Sequence, residues 1–346
     1  MTMSVTPKSL RIEAAGLVLV PRAGGRTAWA FTERAVGAPP VASMCEPLKV
    51  LEAVGRVVGA DPERYWWWLK DEALDEIGRR LSTSNYAVID GLLGEKAARR
   101  FRREVEKLRS AGRLQLSKLA GGRSGANLTY SHTAVRGDLV GWFDGEESDL
   151  WPRRSLASYL TKVDTLVAQL GSRLEQLGAI ASRSKAMVAC YPGGGARYVR
   201  HCDNSCDSGH GERCNGRRLT AVFYLNEGWA PLQGGELRLY APYAPKGVAP
   251  LCDVPPVGDR LVLFFSDYRV PHEVLAAHAE RFAVTTWYFD RAEHTRARGQ
   301  GVAAEQTDAL ESDAIEREIA RFEERFGAGA VVHGVAQDQA PALAAG

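Results

Sequence analysis

Apolar residues recur at helical spacing twice in the first half of the chain. Leu93, Ala97, Phe101, Val105 and Leu108 share one helix face, and Arg99, Arg100, Arg102 and Arg103 lie on the other. Leu156, Leu160, Val163, Leu166, Val167, Leu170, Leu174 and Leu177 form a second, stronger stripe. Residues 46–82 also read as helical, with Pro47 suited to a first turn and Pro62 opening a second helix after Gly59. Trp66, Trp67 and Trp68 cannot share one face of that helix, and core packing accounts for them better than a ligand platform. Ser84 to Ile89 reads as a short strand, and the Gly-, Ser- and Arg-rich stretch 110–137 as a long loop of the lid type.

After Ala181 the period changes from helical to short β-rich runs separated by turn residues. These are Ala186–Tyr191, Arg197–His201, Leu219–Leu225, Glu236–Tyr240, Arg260–Phe265, Glu273–Leu275 and Phe282–Phe289. Helices followed by about seven strands predict an α+β fold, with helices packed on one side of an antiparallel sandwich or jelly roll. Residues 1–45 show no period and read as a weakly ordered segment. The tail 293–346 carries one predicted helix, with Leu310, Ala314, Ile319, Phe322 and Phe326 in phase and Gly327 as its stop. The expected division is therefore 1–45, a helical extension 46–83, a main domain 84–292 and the tail 293–346.

Composition changes this picture little. The 346 residues are 45% apolar and 25% charged, which excludes collagen-like, coiled-coil and wholly disordered chains. Lys and Arg total 44 against 42 acids, so the net charge of +2 gives no pull toward nucleic acid or an anionic membrane. The arginine face at 99–103 then reads as solvated rather than nucleic-acid-binding. No apolar run reaches membrane-helix length. The run Ala14 to Val20 is broken by Gly16 and followed by Pro21-Arg22, unlike a secretory signal. Lys8, Arg11, Arg22 and Arg26 leave an organellar transit peptide open beside the expected cytoplasmic, or also nuclear, location. The six cysteines, at 45, 190, 202, 206, 214 and 252, include no C-x-x-C and read as reduced thiols.

The chemistry concentrates in the β-rich half. His201 and Asp203 are two residues apart, hence on one face of a strand. His272, at another strand start, can supply a third ligand, completing the two-His, one-carboxylate set that leaves open positions on non-haem Fe(II). Arg281, nine residues later, suits a bidentate clamp on a ligand carboxylate. If its strand runs beside that of His272, it lies deeper in the barrel. Glu280 would point the other way, so a small dicarboxylate could satisfy the guanidinium.

These residues stand in blocks that resemble a known family. The blocks are Lys185 to Gly195, Tyr198-Val-Arg-His201-Cys-Asp203-Asn204, Thr220 to Asn226, Gly234 to Arg238, Gly258 to Phe264, Ser266-Asp267, Pro271 to Val274 and Arg281 to Asp290. In order and spacing they resemble the intracellular prolyl 4-hydroxylases of oxygen sensing, which are Fe(II)- and 2-oxoglutarate-dependent dioxygenases on a double-stranded β-helix. The resemblance runs from about 84 to 292. It implies that His201, Asp203 and His272 ligate iron. Arg281 and Tyr224, with Thr285 nearby, would bind the distal carboxylate of 2-oxoglutarate. Tyr191 would lie near its chelating end, with Met187 as an apolar wall. Tyr198 and Trp287 match positions facing the target proline, and Arg217 matches a basic residue near the substrate.

Arg136-Gly137-Asp138 through Trp142 resembles the segment that closes the substrate-facing loop, which makes Asp138 a substrate-side residue rather than part of an adhesion motif. The loop before it, about 112–135, is longer than in familiar members. The resemblance further implies O₂ as co-reactant, ascorbate as a helper that restores oxidised iron, a proline-containing protein as substrate, and a monomer without membrane or nucleic-acid partners. Family targets include hypoxia-inducible transcription factors, a ubiquitin-ligase adaptor and bacterial elongation factor Tu, and nothing in the chain selects among them. Competing readings are a dioxygenase for another substrate, such as a free amino acid or alkylated base, and a non-catalytic protein-binding module.

One insertion departs from the family pattern. It runs from Asn204 to Arg217, and Cys202 just before it recurs with Cys206, His210 and Cys214 at every fourth residue. Thiolate and imidazole are sound zinc ligands, but this is no familiar zinc spacing and its glycines favour a loop. Free thiols are the first reading; a structural zinc and a redox-sensitive thiol pair are the alternatives.

Overall fold

The structure, a computed structural model, describes residues 66–117, 119–121, 128–130, 135–147, 154–204, 214–245 and 247–299, together with the short strands Leu19–Pro21, Thr27–Trp29 and Leu48–Lys49. Cys206, His210 and the tail helix expected at 310–326 lie outside the described residues.

Four helices are described: α1 (Asp71–Ser84), α2 (Glu95–Ser110), α3 (Arg154–Gly171) and α4 (Arg291–Gly299). Ten strands build the core: β1 (Tyr86–Asp90), β2 (Leu139–Phe143), β3 (Ala186–Tyr191), β4 (Ala196–His201), β5 (Arg217–Tyr224), β6 (Leu237–Leu239), β7 (Cys252–Val254), β8 (Arg260–Phe265), β9 (His272–Ala277) and β10 (Arg281–Asp290). The major sheet runs β1-β8-β5-β10-β3-β2, extended at its edges by Leu48–Lys49 and Gln115–Leu116, with Ile180–Arg183 beside β10. The minor sheet runs β4-β9-β6-β7. All these pairings are antiparallel except Leu48–Lys49 against β1. This is the expected jelly roll.

The major sheet is covered on both faces, which is why all ten residues of β10 are buried. Its outward side chains meet the helices. Phe223 packs on Tyr159 of α3, ring centroids 5.0 Å apart, and stacks on Phe101 of α2 at 6.3 Å. Its inward side chains face the second sheet. The helical stripe of residues 93–108 is buried as predicted at Phe101, Val105 and Leu108. Arginines on the opposite face are largely ion-paired, Arg99 to Glu95 and Arg102 to Glu106. Asp259 fixes the entry to α2 by accepting from Leu93 N (2.7 Å) and Gly94 N (2.9 Å).

Some expectations are corrected. Leu48–Lys49, inside the stretch read as helical from Pro47, is a strand registered against Ile89 and Asp90. The helix expected to reach Leu177 stops at Gly171, and Leu177 sits in a separate 3₁₀ turn. Trp67 and Trp68 are buried and Trp66 stacks on Trp68 at 5.2 Å, in keeping with core packing. Cys252 is disulfide-bonded, so the six cysteines are not all thiols.

Candidate active site

β4 and β9 lie side by side in the minor sheet, with His201 registered against His272. Asp203 is not on the strand with His201, as the two-residue spacing suggested, because β4 ends at His201. Asp203 reaches the histidines because its loop is pinned. Asn204 N donates to Ser266 O (2.8 Å), Asn215 Nδ2 to Asp203 O (2.9 Å), and Thr220 Oγ1 to Asp203 Oδ2 (2.7 Å). The potential ligand atoms of His201, Asp203 and His272 all lie within 4.8 Å of one another. Asp203 Oδ1 is 3.7 Å from His201 Nε2 and 3.8 Å from His272 Nε2.

Hydrogen bonding fixes the tautomers. His201 Nδ1 lies 2.7 Å from Val199 O, and His272 Nδ1 lies 3.0 Å from Val270 O. A carbonyl only accepts, so each Nδ1 carries the proton and each Nε2 offers a lone pair toward Asp203. Burial, with His201 beside it, pulls the His272 imidazole down to about 4, keeping it in the neutral, ligating form. Burial works to raise the Asp203 carboxyl, but His272, His201 and Arg217 outweigh it and hold the group ionised. Two imidazoles and one carboxylate in a buried cluster fit a divalent transition metal with open positions.

The opposite end of the cavity belongs to the major sheet. Arg281 opens β10, and Tyr191 of β3 is registered directly against it. β10 lies between β5 and β3, not beside β9, so the Arg281 strand faces the His272 strand across the barrel. This corrects the expected neighbour relation. Arg281 is 2% exposed, donates Nε to Gly235 O at 2.6 Å, and lies 4.9 and 5.0 Å from the ring centroids of Tyr191 and Tyr224. No described carboxylate reaches ion-pair distance, and Glu280 pairs instead with Arg109 at 2.6 Å. The Tyr224 hydroxyl is buried without a hydrogen-bond partner. Burial pushes the phenols of Tyr191 and Tyr224 upward, so both keep their protons and act as donors. A buried guanidinium and a buried O–H without an acceptor fit an incoming carboxylate.

Between these ends runs a narrow cavity of about 60 Å³. It brings together ten predicted residues: Met187, Tyr191, Tyr198, His201, Asp203, Tyr224, His272, Arg281, Thr285 and Trp287. Arg217 and Asp138 do not line it. Arg217 is buried behind Trp287, its guanidinium 3.9 Å from that ring. Asp138 is fully buried and pairs with Arg136 at 2.8 Å; Arg136, within the motif but not singled out, is the member that reaches the wall. Sequence reasoning also missed Thr220 and Gly235. Alternation along β5 (Thr220, Val222, Tyr224) was the available signal for the first.

The Cys/His insertion is only partly described. The Cys214 thiol lies 3.3 Å from Glu293 Oε2 and Asn204 Nδ2 lies 3.7 Å from its sulfur, while Cys202 is a half-buried thiol. Cys190, Cys202 and Cys214 form no disulfide. Among the described residues the His201, Asp203 and His272 cluster is the one metal-ligand group, and no helix is long and apolar enough to cross a membrane.

Comparison with known proteins agrees with this chemistry. Residues 186–289 match the family described as the 2OG-Fe(II) oxygenase superfamily. Human prolyl hydroxylase EGLN3 is 39% identical over 231 residues, which span 66% of this chain and 89% of that protein. A Trichoplax adhaerens prolyl hydroxylase, solved with a hypoxia-inducible-factor oxygen-degradation-domain peptide, superposes with a TM-score of 0.56 at 32% identity, covering 69% of this chain and 99% of that one. A Pseudomonas putida prolyl-4-hydroxylase gives a TM-score of 0.50 at 29% identity, covering 63% and 99%.

Proposed function

The chain belongs to the prolyl hydroxylases of the 2OG-Fe(II) oxygenase superfamily, and we propose that it hydroxylates carbon 4 of a proline in a protein substrate, as an oxygen-responsive enzyme. The catalytic unit is residues 84–292. The observation that carries the site assignment is the pairing, in one buried cavity, of a complete two-His, one-carboxylate cluster with an arginine that lacks an anion.

His201, Asp203 and His272 would hold Fe(II) through two Nε2 atoms and a carboxylate oxygen. Arg281 and the Tyr224 hydroxyl would grip the distal carboxylate of 2-oxoglutarate, with Thr285, Tyr191 and Met187 shaping the space between. When bound, this pair activates O₂, coupling oxidative decarboxylation of the keto acid to succinate and CO₂ with insertion of one oxygen atom into a C–H bond. The chain's own contribution is positioning. Thr220 aims Asp203, and Tyr198 and Trp287 line the cavity with the ligand cluster, where a pyrrolidine ring would enter. Ascorbate is the expected reductant for oxidised iron, and a cytoplasmic monomer is the favoured state.

Succinate formation that depends on Fe(II) and on a proline-containing protein, with a mass gain of one oxygen atom on proline, is the expected result. Fe(II) and 2-oxoglutarate binding without any prolyl product from cell extract would move the assignment to another substrate class. A protein that binds neither would favour the non-catalytic module.

A further inference from the structure

The β6–β9 pairing continues past the ligand histidine. Leu239 is registered against His272, Tyr240 N donates to Pro271 O (2.9 Å), and Tyr243 N donates to Tyr268 O (2.9 Å). The two chains therefore run together from the metal end of the cavity out to the rim of the barrel. Tyr268 precedes His272 by four residues, at most about 13 Å along an extended chain. It sits in a turn closed by Val270 N on Asp267 O at 3.0 Å. The other ligand strand braces the same rim: Arg200, next to His201, donates to the carbonyls of Ala244 and Pro245 and lies 3.8 Å from the Tyr240 ring centroid.

At this rim the Tyr243 and Tyr268 rings stand 6.3 Å apart, 59% and 38% exposed. Tyr243 adopts φ 55°. A bulky L-residue rarely adopts that region, and strain of this kind clusters at binding sites.

We infer that the Tyr243–Tyr268 pair is a docking shelf for the extended segment of the protein substrate that flanks the target proline, gripping an apolar, aromatic or prolyl side chain about four residues away from it. The inference rests on the proline-hydroxylase reading. A narrow cavity that also takes the cosubstrate leaves room for little of the peptide beyond the reacting ring, so the rest of the peptide must leave along the rim. On the major-sheet side the route is walled by Trp142 against Trp287, 5.6 Å apart, with Arg217 on the same indole. On the minor-sheet side it passes the tyrosines. The backbones that carry the two rings are tied to each other beside the ligand-bearing strands, and aromatic faces with few rotatable bonds suit proline-rich, extended chains.

The test uses the full chain and a library of peptides with a fixed central proline and randomised flanks, with hydroxylated products identified by mass spectrometry. The variant is Tyr243→Gly with Tyr268→Ser, since glycine accepts φ 55° and leaves the fold unstrained. Wild type is expected to select apolar, aromatic or prolyl residues about four positions from the product proline on one side. The variant should lose that selection and show a peptide KM raised about tenfold, with the KM for 2-oxoglutarate and peptide-free succinate formation unchanged. Identical selection and KM in both proteins would overturn the shelf while leaving the hydroxylase reading intact. A concentration-dependent dimer lost in the variant, with unaltered selection, would assign the pair to a second copy and also overturn it. A wild type that binds 2-oxoglutarate but hydroxylates no peptide of the library would remove the hydroxylase reading and the shelf with it.

Discussion

The two ends of the cavity are built on opposite sheets and are finished differently. At the minor-sheet end every polar group is already engaged from behind: Val199 O and Val270 O hold the imidazoles, and Thr220 holds Asp203. What remains pointing inward is lone pairs, and such an end needs a cation. At the major-sheet end the inward groups are donors: the Arg281 guanidinium, whose Nε is taken by Gly235 O but which meets no described carboxylate, and the Tyr224 hydroxyl, which has no hydrogen-bond partner. Such an end needs an anion. A single small molecule with one carboxylate for the arginine and a second oxygen pair for the metal satisfies both. The difference teaches that saturation of the supporting hydrogen bonds, more than residue type, tells which charge a buried site awaits.

Removing the cation end should have the largest effect. His201→Ala is expected to abolish turnover, by about a thousandfold or more, and to lose metal binding. Metal stoichiometry and succinate release check both. Added Mn(II) at a hundred times its Kd should stabilise wild type by about 2.7 kcal/mol but not this variant, read as a shift in Tm. The comparison breaks if Arg281→Ala loses that metal-induced shift as well.

Arg281→Ala should leave metal binding intact and raise the KM for 2-oxoglutarate about a hundredfold. Arg281→Lys should recover only part, because a point charge replaces a planar fork. Calorimetric titration of 2-oxoglutarate into the Mn(II)-loaded variants measures both.

Thr220→Val removes the support behind Asp203 without touching the ligands, and metal affinity should fall about ten- to a hundredfold with the Arg281 end unaffected. The smallest effect is expected at Gly235, whose φ is +71° and where an added Cβ would lie 2.9 Å from Arg281 Cδ. Gly235→Ala should raise the KM for 2-oxoglutarate about tenfold by displacing the guanidinium, at a stability loss of about 1–3 kcal/mol. An unchanged KM would mean that Arg281 is not held as tightly as its burial implies.

Part of the fold was legible because β-structure carries its own period. Arg281, Ala283, Thr285 and Trp287 share one face of β10, and Met187, Ala189 and Tyr191 one face of β3, but both strands are buried on both faces, so it was the family resemblance that singled out Thr285, Trp287, Met187 and Tyr191. The short strands β2 and β7 escaped notice, since neither shows the sustained alternation that distinguishes a strand from a loop. Asp203 was assigned to the right place for the wrong reason: the strand period ends at His201, and hydrogen bonds to Asn204, Asn215 and Thr220 bring the carboxylate home. Asp138 was read as facing substrate, yet the buried pair with Arg136 turns it inward and leaves the arginine at the wall.

Residue chemistry and local periodicity, both carried by near neighbours in the chain, were enough to suggest a sandwich or jelly roll, the amphipathic helices, three candidate ligands and a clamp arginine, and the family resemblance singled out the jelly roll and those roles. Which strands lie side by side was decided only in three dimensions. Arg281 faces His272 across the barrel rather than along one sheet, because antiparallel pairing between distant segments depends on burial from both layers at once. The same is true of the tyrosine shelf: Tyr243 and Tyr268 are ordinary surface residues in the sequence, and only the continued pairing beyond His272 sets them together at the rim.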